Sequence, residues 1–149
     1  MTMTPIRGAF KGAEHHFPVH VYFEDTDLSG IVYHANYLRF FERARSDMLA
    51  RLDIDQREAI EAGTGAYAVT QMGIEWKSPA KLGDDLLVVS RVENVRAASC
   101  FIQQAVMRSG EILCQATVTA ALLSPDGRPV RQPAEWVEKF KAVLAKGEE

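Results

Sequence analysis

The sequence predicts a single α+β domain in which one long, deeply buried helix packs against an antiparallel sheet of about five strands. Three observations carry that expectation. Residues 37–52 place apolar side chains at helical spacing around about half of the helix circumference. Four long strand-like stretches follow residue 64, and short connections join them. A strand runs straight into the helix through the turn Asp25-Thr26-Asp27-Leu28-Ser29-Gly30.

Met1 to His16 contains Pro5, Gly8 and Gly12 and holds no sustained period, so residues 1–16 are expected to be a flexible arm. Residues 17–149 are expected to form the domain. Val19, Val21 and Phe23 share one face and His20, Tyr22 and Glu24 the other, which reads as a strand. From His34 the period becomes helical. Tyr37, Phe41, Ala44, Met48 and Leu52 form one stripe, widened by Leu38, Phe40 and Leu49. That arc exceeds the ~100° stripe of a simple surface helix, so burial is expected. Glu42 and Arg45, spaced i,i+3, can pair within it. A short helix over 56–62 stops at Gly63. Strands are expected over 65–76, 85–95, 99–108 and 111–124, broken by Ser78-Pro79, Ser109-Gly110 and Pro125-Asp126-Gly127. Pro133 opens a closing helix with Trp136, Val137, Phe140 and Leu144 on one face.

Composition narrows the function. The chain has 149 residues, 47% hydrophobic and 25% charged, with net charge −3 and no basic cluster. Nucleic-acid binding needs a concentrated Lys/Arg surface, so that class is excluded. No apolar run reaches the ~20 residues of a membrane helix, so no membrane insertion is expected. The first 16 residues lack the apolar core of a signal peptide, which points to the cytoplasm. Cys100 and Cys114 have no metal-ligand spacing and are expected to be reduced, half-buried thiols. Asp25-x-Asp27-x-Ser29-Gly30 mimics the start of a calcium loop. Its last position is Asn36, not the bidentate Glu that calcium needs, so no metal is expected.

The strand-to-helix turn holds the chemistry-bearing residues. Asp27 can attack a carbonyl or activate water. The N–H groups near Tyr33 and His34 lack intrahelical partners and can face a developing oxyanion. Gly30 permits a sharp turn and a close backbone approach. Asp25, two residues away, fits a capping role as well as Asp27 does.

The run Glu24-Asp25-Thr26-Asp27, then Gly30-Ile31-Val32-Tyr33-His34-Ala35-Asn36-Tyr37, then Glu42-Arg43-Ala44-Arg45 resembles the YbgC-like branch of the 4-hydroxybenzoyl-CoA thioesterase family. Ser78-Pro79-Ala80-Lys81-Leu82-Gly83-Asp84 resembles a later loop of the same family. The resemblance implies a hotdog fold and hydrolysis of acyl-CoA without a cofactor, coenzyme A entering only as part of the substrate. It also implies active sites at a dimer interface, with dimers commonly paired into tetramers. Asp27 matches the family's catalytic carboxylate and His34 its motif histidine, whose backbone N–H polarises the thioester carbonyl. Leu28-Ser29 departs from the two small residues of many relatives, which places Leu28 at pocket access. Tyr37, Phe41 and Glu42 are expected near the substrate pocket. Glu42 is also the one acidic residue of the helix close to its apolar face. Lys77, beside Ser78 and Pro79, is the preferred contact for coenzyme A phosphates. The competing class is a non-catalytic protein that binds acyl-CoA or acyl-ACP, or serves as a scaffold.

Overall fold

The computed structural model describes residues 3–147. Its elements are β1 (Ala9–Lys11), β2 (Glu14–His20), α1 (Tyr37–Arg51), α2 (Gln56–Glu61), β3 (Ala66–Trp76), β4 (Asp85–Val95), β5 (Ser99–Arg108), β6 (Glu111–Leu123) and α3 (Ala134–Gly147). The strands form one antiparallel sheet in the order β1-β2-β4-β5-β6-β3, with α1 laid along one face. This is the hotdog arrangement.

The sheet has six strands rather than five, because part of the expected arm is ordered. Ala9–Lys11 pairs with Glu14–His16, and β2 continues along β4. Hidden polar groups hold this hairpin. His15 is fully buried, and its Nε2 lies 2.7 Å from Asp47 Oδ2 on α1. The same oxygen accepts the Gly8 N–H at 2.9 Å. A Cβ at Gly8 would fall 2.3 Å from the His16 carbonyl oxygen, so only glycine fits there. Met1 and Thr2 of the expected arm, and Glu148 and Glu149 of the expected domain, lie outside the described residues.

The wide apolar arc of α1 is buried as its pattern requires. Phe40, Phe41, Ala44 and Met48 are at most 1% exposed. The first half of the helix packs with Val88, Val106 and Val118 of the sheet. The second half packs with Ile54, Ile102, Trp136 and Phe140, so α3 closes that end. α2 starts where Asp55 caps the Glu58 N–H, a contribution of ~1 kcal/mol. At the β5–β6 turn, Ser109 and Gly110 both have positive φ (49° and 83°), as a two-residue I′ hairpin demands. Cys100 and Cys114 are fully rather than half buried, and burial pushes both thiols up to about 12. Among the described residues, no helix is long and apolar enough to cross a membrane.

Candidate active site

The turn between β2 and α1 is a small hairpin. Thr26 bridges Val32, Asp27 N–H donates to the Ile31 carbonyl at 2.9 Å, and Gly30 N–H donates to the Asp27 carbonyl at 3.2 Å. Residues 27–30 thus form a tight turn with Asp at its first position and Gly at its last. Gly30 has φ +82°, which closes the hairpin with a left-handed residue. The tip is docked on the loop after β3. Ile31 bridges Lys81, Leu82 N–H donates to the Gly30 carbonyl at 3.1 Å, and Val32 N–H donates to the Ala80 carbonyl at 2.9 Å.

The two carboxylates have different surroundings. Asp25 is 4% exposed, and both its oxygens accept: Oδ2 from Tyr22 N–H and Oδ1 from Asn36 Nδ2, each at 2.9 Å. It clamps the end of the strand to the start of the helix. Asp27 is exposed. Its Oδ1 accepts the Ser29 N–H at 2.8 Å and the Ser29 hydroxyl at 2.5 Å, while Oδ2 stands outside both bonds. The Ser29 donors hold its carboxyl below the usual range, so it is ionised at neutral pH.

His34 begins a single 3-10 turn, His34–Asn36, that runs into α1. Its ring packs on Tyr33 (centroids 4.6 Å apart) and edge-on to Trp76 (5.9 Å). Trp76 Nε1 donates to the His34 carbonyl at 3.0 Å, fixing the helix start to the end of β3. Of the backbone N–H groups at Gly30, Tyr33 and His34, two are already engaged. Tyr33 N–H donates to the Asp25 carbonyl at 3.0 Å, and Gly30 N–H closes its own turn. No hydrogen bond from the His34 N–H occurs among the described residues, as the first position of a helical turn allows.

The expected pocket residues separate. Leu28 projects fully from the hairpin tip. Tyr37 and Phe41 do not line a pocket in the protomer. They are 3% and 0% exposed because they face the sheet, and the Tyr37 hydroxyl accepts the Ala80 N–H at 3.1 Å. Glu42 does border a cavity, with Arg45 Nη2 2.8 Å from its Oε2. Lys77 is exposed, and its Nζ lies 3.6 Å from Glu75. Lys77 and Ser78 donate their N–H groups to the Leu113 carbonyl, and Pro79 offers its carbonyl to Arg108, so this loop is stitched down. Lys81 is joined to the hairpin directly, through its bridge with Ile31. Among the described residues no cluster of three metal-ligating side chains occurs.

Residues 21–144 match the model of a family described as the thioesterase-like superfamily. The acyl-CoA thioesterase YbgC of Haemophilus influenzae is 42% identical over 125 residues, 83% of this chain and 92% of that protein. The acyl-CoA thioester hydrolase YbgC of Escherichia coli is 37% identical over 127 residues, 84% and 94% of the two chains. A probable thioesterase from Bartonella henselae superposes with a TM-score of 0.77 at 34% identity, covering 80% of this chain and 99% of that one. A DHNA-CoA thioesterase from Staphylococcus aureus shares the fold, with a TM-score of 0.84 at 21% identity over 91% and 93% of the chains. The hairpin, the helix start and strands β3 to β6 all fall inside the matched span, and the chain belongs to the thioesterase-like superfamily.

Proposed function

We propose that this protein hydrolyses acyl-CoA thioesters to free acid and coenzyme A, with Asp27 as the catalytic carboxylate. The observation that carries the reading is the hairpin that sets an ionised carboxylate before an unengaged helix-start N–H. The names of the relatives supply the thioester. In the general-base route Asp27 takes a proton from water as the water oxygen bonds to the acyl carbon. The oxyanion accepts from the His34 N–H; one such donor is worth ~2.7–4 kcal/mol in acyl transfer. The C–S bond then breaks, and the departing thiolate takes the proton from Asp27. In the nucleophilic route Asp27 forms a mixed anhydride and releases thiolate first, and water then cleaves the anhydride.

The assay is free-thiol release from an acyl-CoA panel. Wild type turns over its best substrate and Asp27→Asn does not; equal rates would remove Asp27 from the mechanism. Single turnover in oxygen-isotope-labelled water separates the routes, because only the anhydride leaves label on Asp27. Tight acyl-CoA binding without thiol release would return the protein to the binding class.

We further propose a homodimer joined through β3. This edge strand is 11 residues long, has no proline and carries one charge, Glu75. Val69 and Trp76 on it are 44% and 47% exposed. Long bare edges of this kind are normally covered or blunted, and β3 is neither within the protomer. A two-fold axis pairs it antiparallel with itself. The outer face of β4 and β5, with Leu87, Val89 and Met107, offers a surface for pairing dimers into a tetramer. Light scattering reads both. Lys77 and Lys81 flank the expected path of the coenzyme A phosphates. The buried free thiols suit a reducing compartment such as the cytoplasm.

A further inference from the structure

The loop over 77–84, after β3, carries the hairpin that holds Asp27. Every hydrogen bond that residues 27–31 make among the described residues is either internal to the hairpin or made to this loop. Leu82 N–H donates to the Gly30 carbonyl at 3.1 Å, and Val32 N–H donates to the Ala80 carbonyl at 2.9 Å. Earlier in the chain, Val21 N–H donates to the Asp84 carbonyl at 2.9 Å and Gly83 N–H to the Val21 carbonyl at 3.0 Å. Leu28, at the tip, is fully exposed and adds no packing. Where Asp27 stands is therefore decided by where this loop stands.

The loop in turn is closed by one side chain from the sheet. Arg108 is the last residue of β5. Its Nη1 donates to Asp84 Oδ2 at 2.8 Å and to the Pro79 carbonyl at 3.3 Å, so one nitrogen joins the two arms of the loop. The same Asp84 oxygen accepts the Lys81 N–H at 2.8 Å. Between these ties, Ala80 N–H donates to the Tyr37 hydroxyl on α1. The Lys81 N–H and Arg108 hold the Asp84 carboxyl below its ordinary range, so the pair is charged at neutral pH. A partly exposed pair of this kind adds little to stability, yet charge-assisted bonds are short and directional and fix geometry. Neither side chain bonds to Asp27 or His34. Arg108 Nη2 lies 3.5 Å from Glu111, so both terminal nitrogens already face carboxylates and the guanidinium is not free for a phosphate.

We propose that Arg108, acting through Asp84 and the 77–84 loop, is a positioning residue for the hydrolysis and sets where Asp27 stands relative to the helix-start N–H. The proposal rests on the hydrolase reading above. Asp27 is tied to the loop, whereas His34 is tied to Trp76 of β3. A shift of the loop therefore changes the spacing between the carboxylate and the oxyanion donor. A displacement of ~1 Å in a positioned reaction costs ~10²-fold in rate, even when its origin is remote from the chemistry. Loss of Arg108 leaves the Pro79 carbonyl and one side of Asp84 to water. It loosens the loop without emptying any core position, so the rate falls while substrate binding does not.

Arg108→Gln, Asp84→Asn and the double variant are assayed beside wild type on an acyl-CoA that wild type hydrolyses. The matching acyl-pantetheine, which carries no phosphate, is run in parallel. The expected result for each single variant is a kcat at least about tenfold lower, a KM within about twofold of wild type, and the same relative loss of kcat/KM on both substrates. The double variant is expected to match the slower single one, because the pair acts as a unit. Amide exchange at Val32 and Leu82 is expected to quicken in Arg108→Gln while exchange in β4 and β5 stays at the wild-type rate. Four results each overturn the positioning role and leave the hydrolase reading standing. They are a wild-type kcat in Arg108→Gln, a loss confined to KM or to acyl-CoA, losses that multiply in the double variant, and unchanged exchange at Val32 and Leu82. A wild-type protein that cleaves no thioester overturns both. If Arg108→Gln does not fold, Asp84→Asn carries the same comparisons.

Discussion

Asp25 and Asp27 stand two residues apart in one motif, and their replacement should separate stability from turnover. Asp25→Ala leaves two donors without their acceptor, Tyr22 N–H and Asn36 Nδ2. Asn36 is 7% exposed, so water replaces that bond poorly. Tyr22 is largely exposed, and its N–H is more readily rehydrated. An orphaned buried donor costs ~1–3 kcal/mol, so the pair should cost about 2–3 kcal/mol. For a chain of this length that lowers the melting temperature by about 5–10 °C. Asp27→Ala removes bonds only to the exposed Ser29, which water replaces, so the melting temperature should stay at the wild-type value. Its turnover should fall about 10²–10⁴-fold, the range for a lost acid–base group. Thermal unfolding and thiol release on the same samples give both numbers. An Asp27→Ala protein that melts early yet turns over normally, or an Asp25→Ala protein of wild-type stability, would refute the division of roles.

Three further outcomes follow from the geometry. Burial holds the His15 imidazole below its ordinary value, so below pH ~6.5 the unfolded chain binds that proton more readily than the folded one. Stability should therefore fall on acidification through that window, and urea unfolding at pH 7 and pH 5.5 should show a shallower slope for His15→Gln than for wild type. Gly30→Ala meets no atom within 4 Å but must hold φ +82°, so it should lose ~1–2 kcal/mol through the backbone alone, read by chemical denaturation. Trp76→Phe keeps a ring beside His34 but loses the Nε1 donor to its carbonyl. A several-fold lower kcat with little change in KM is expected from steady-state kinetics, because the helix start is then less firmly aimed.

The period of the chain carried most of the fold. The strand over 85–95 runs where its Leu- and Val-rich composition placed it and the strand over 99–108 where its alternation did, and α1 is buried as its wide arc required. The N-terminal hairpin was illegible because its anchor is polar. Glu14-His15-His16 reads as solvent-facing until Asp47, 32 residues later, is placed against His15. The site divided in the same way. The motif singled out Asp27 and His34 as candidates, and Asp-x-x-Gly encoded the turn that carries Asp27. Which N–H groups remain free depends on Asp25 and Asp27 carbonyls that only the folded hairpin aims at Tyr33 and Gly30. Tyr37 and Phe41 were misplaced for a related reason. An apolar residue near a site reads alike whether it faces the core or the substrate, and here the core takes both.

Leu28 touches little of its own protomer and yet neighbours Asp27, the carboxylate proposed to do the chemistry. Folding places almost no constraint on its identity, since surface changes of this kind shift stability by under ~0.5 kcal/mol. Position 28 can therefore drift through many residue types while the domain stays intact, with selection acting on it only through whatever approaches Asp27 from outside. Lineages of this protein should differ there early and often. A saturation library at that single codon would explore new preferences with nearly every member still folded.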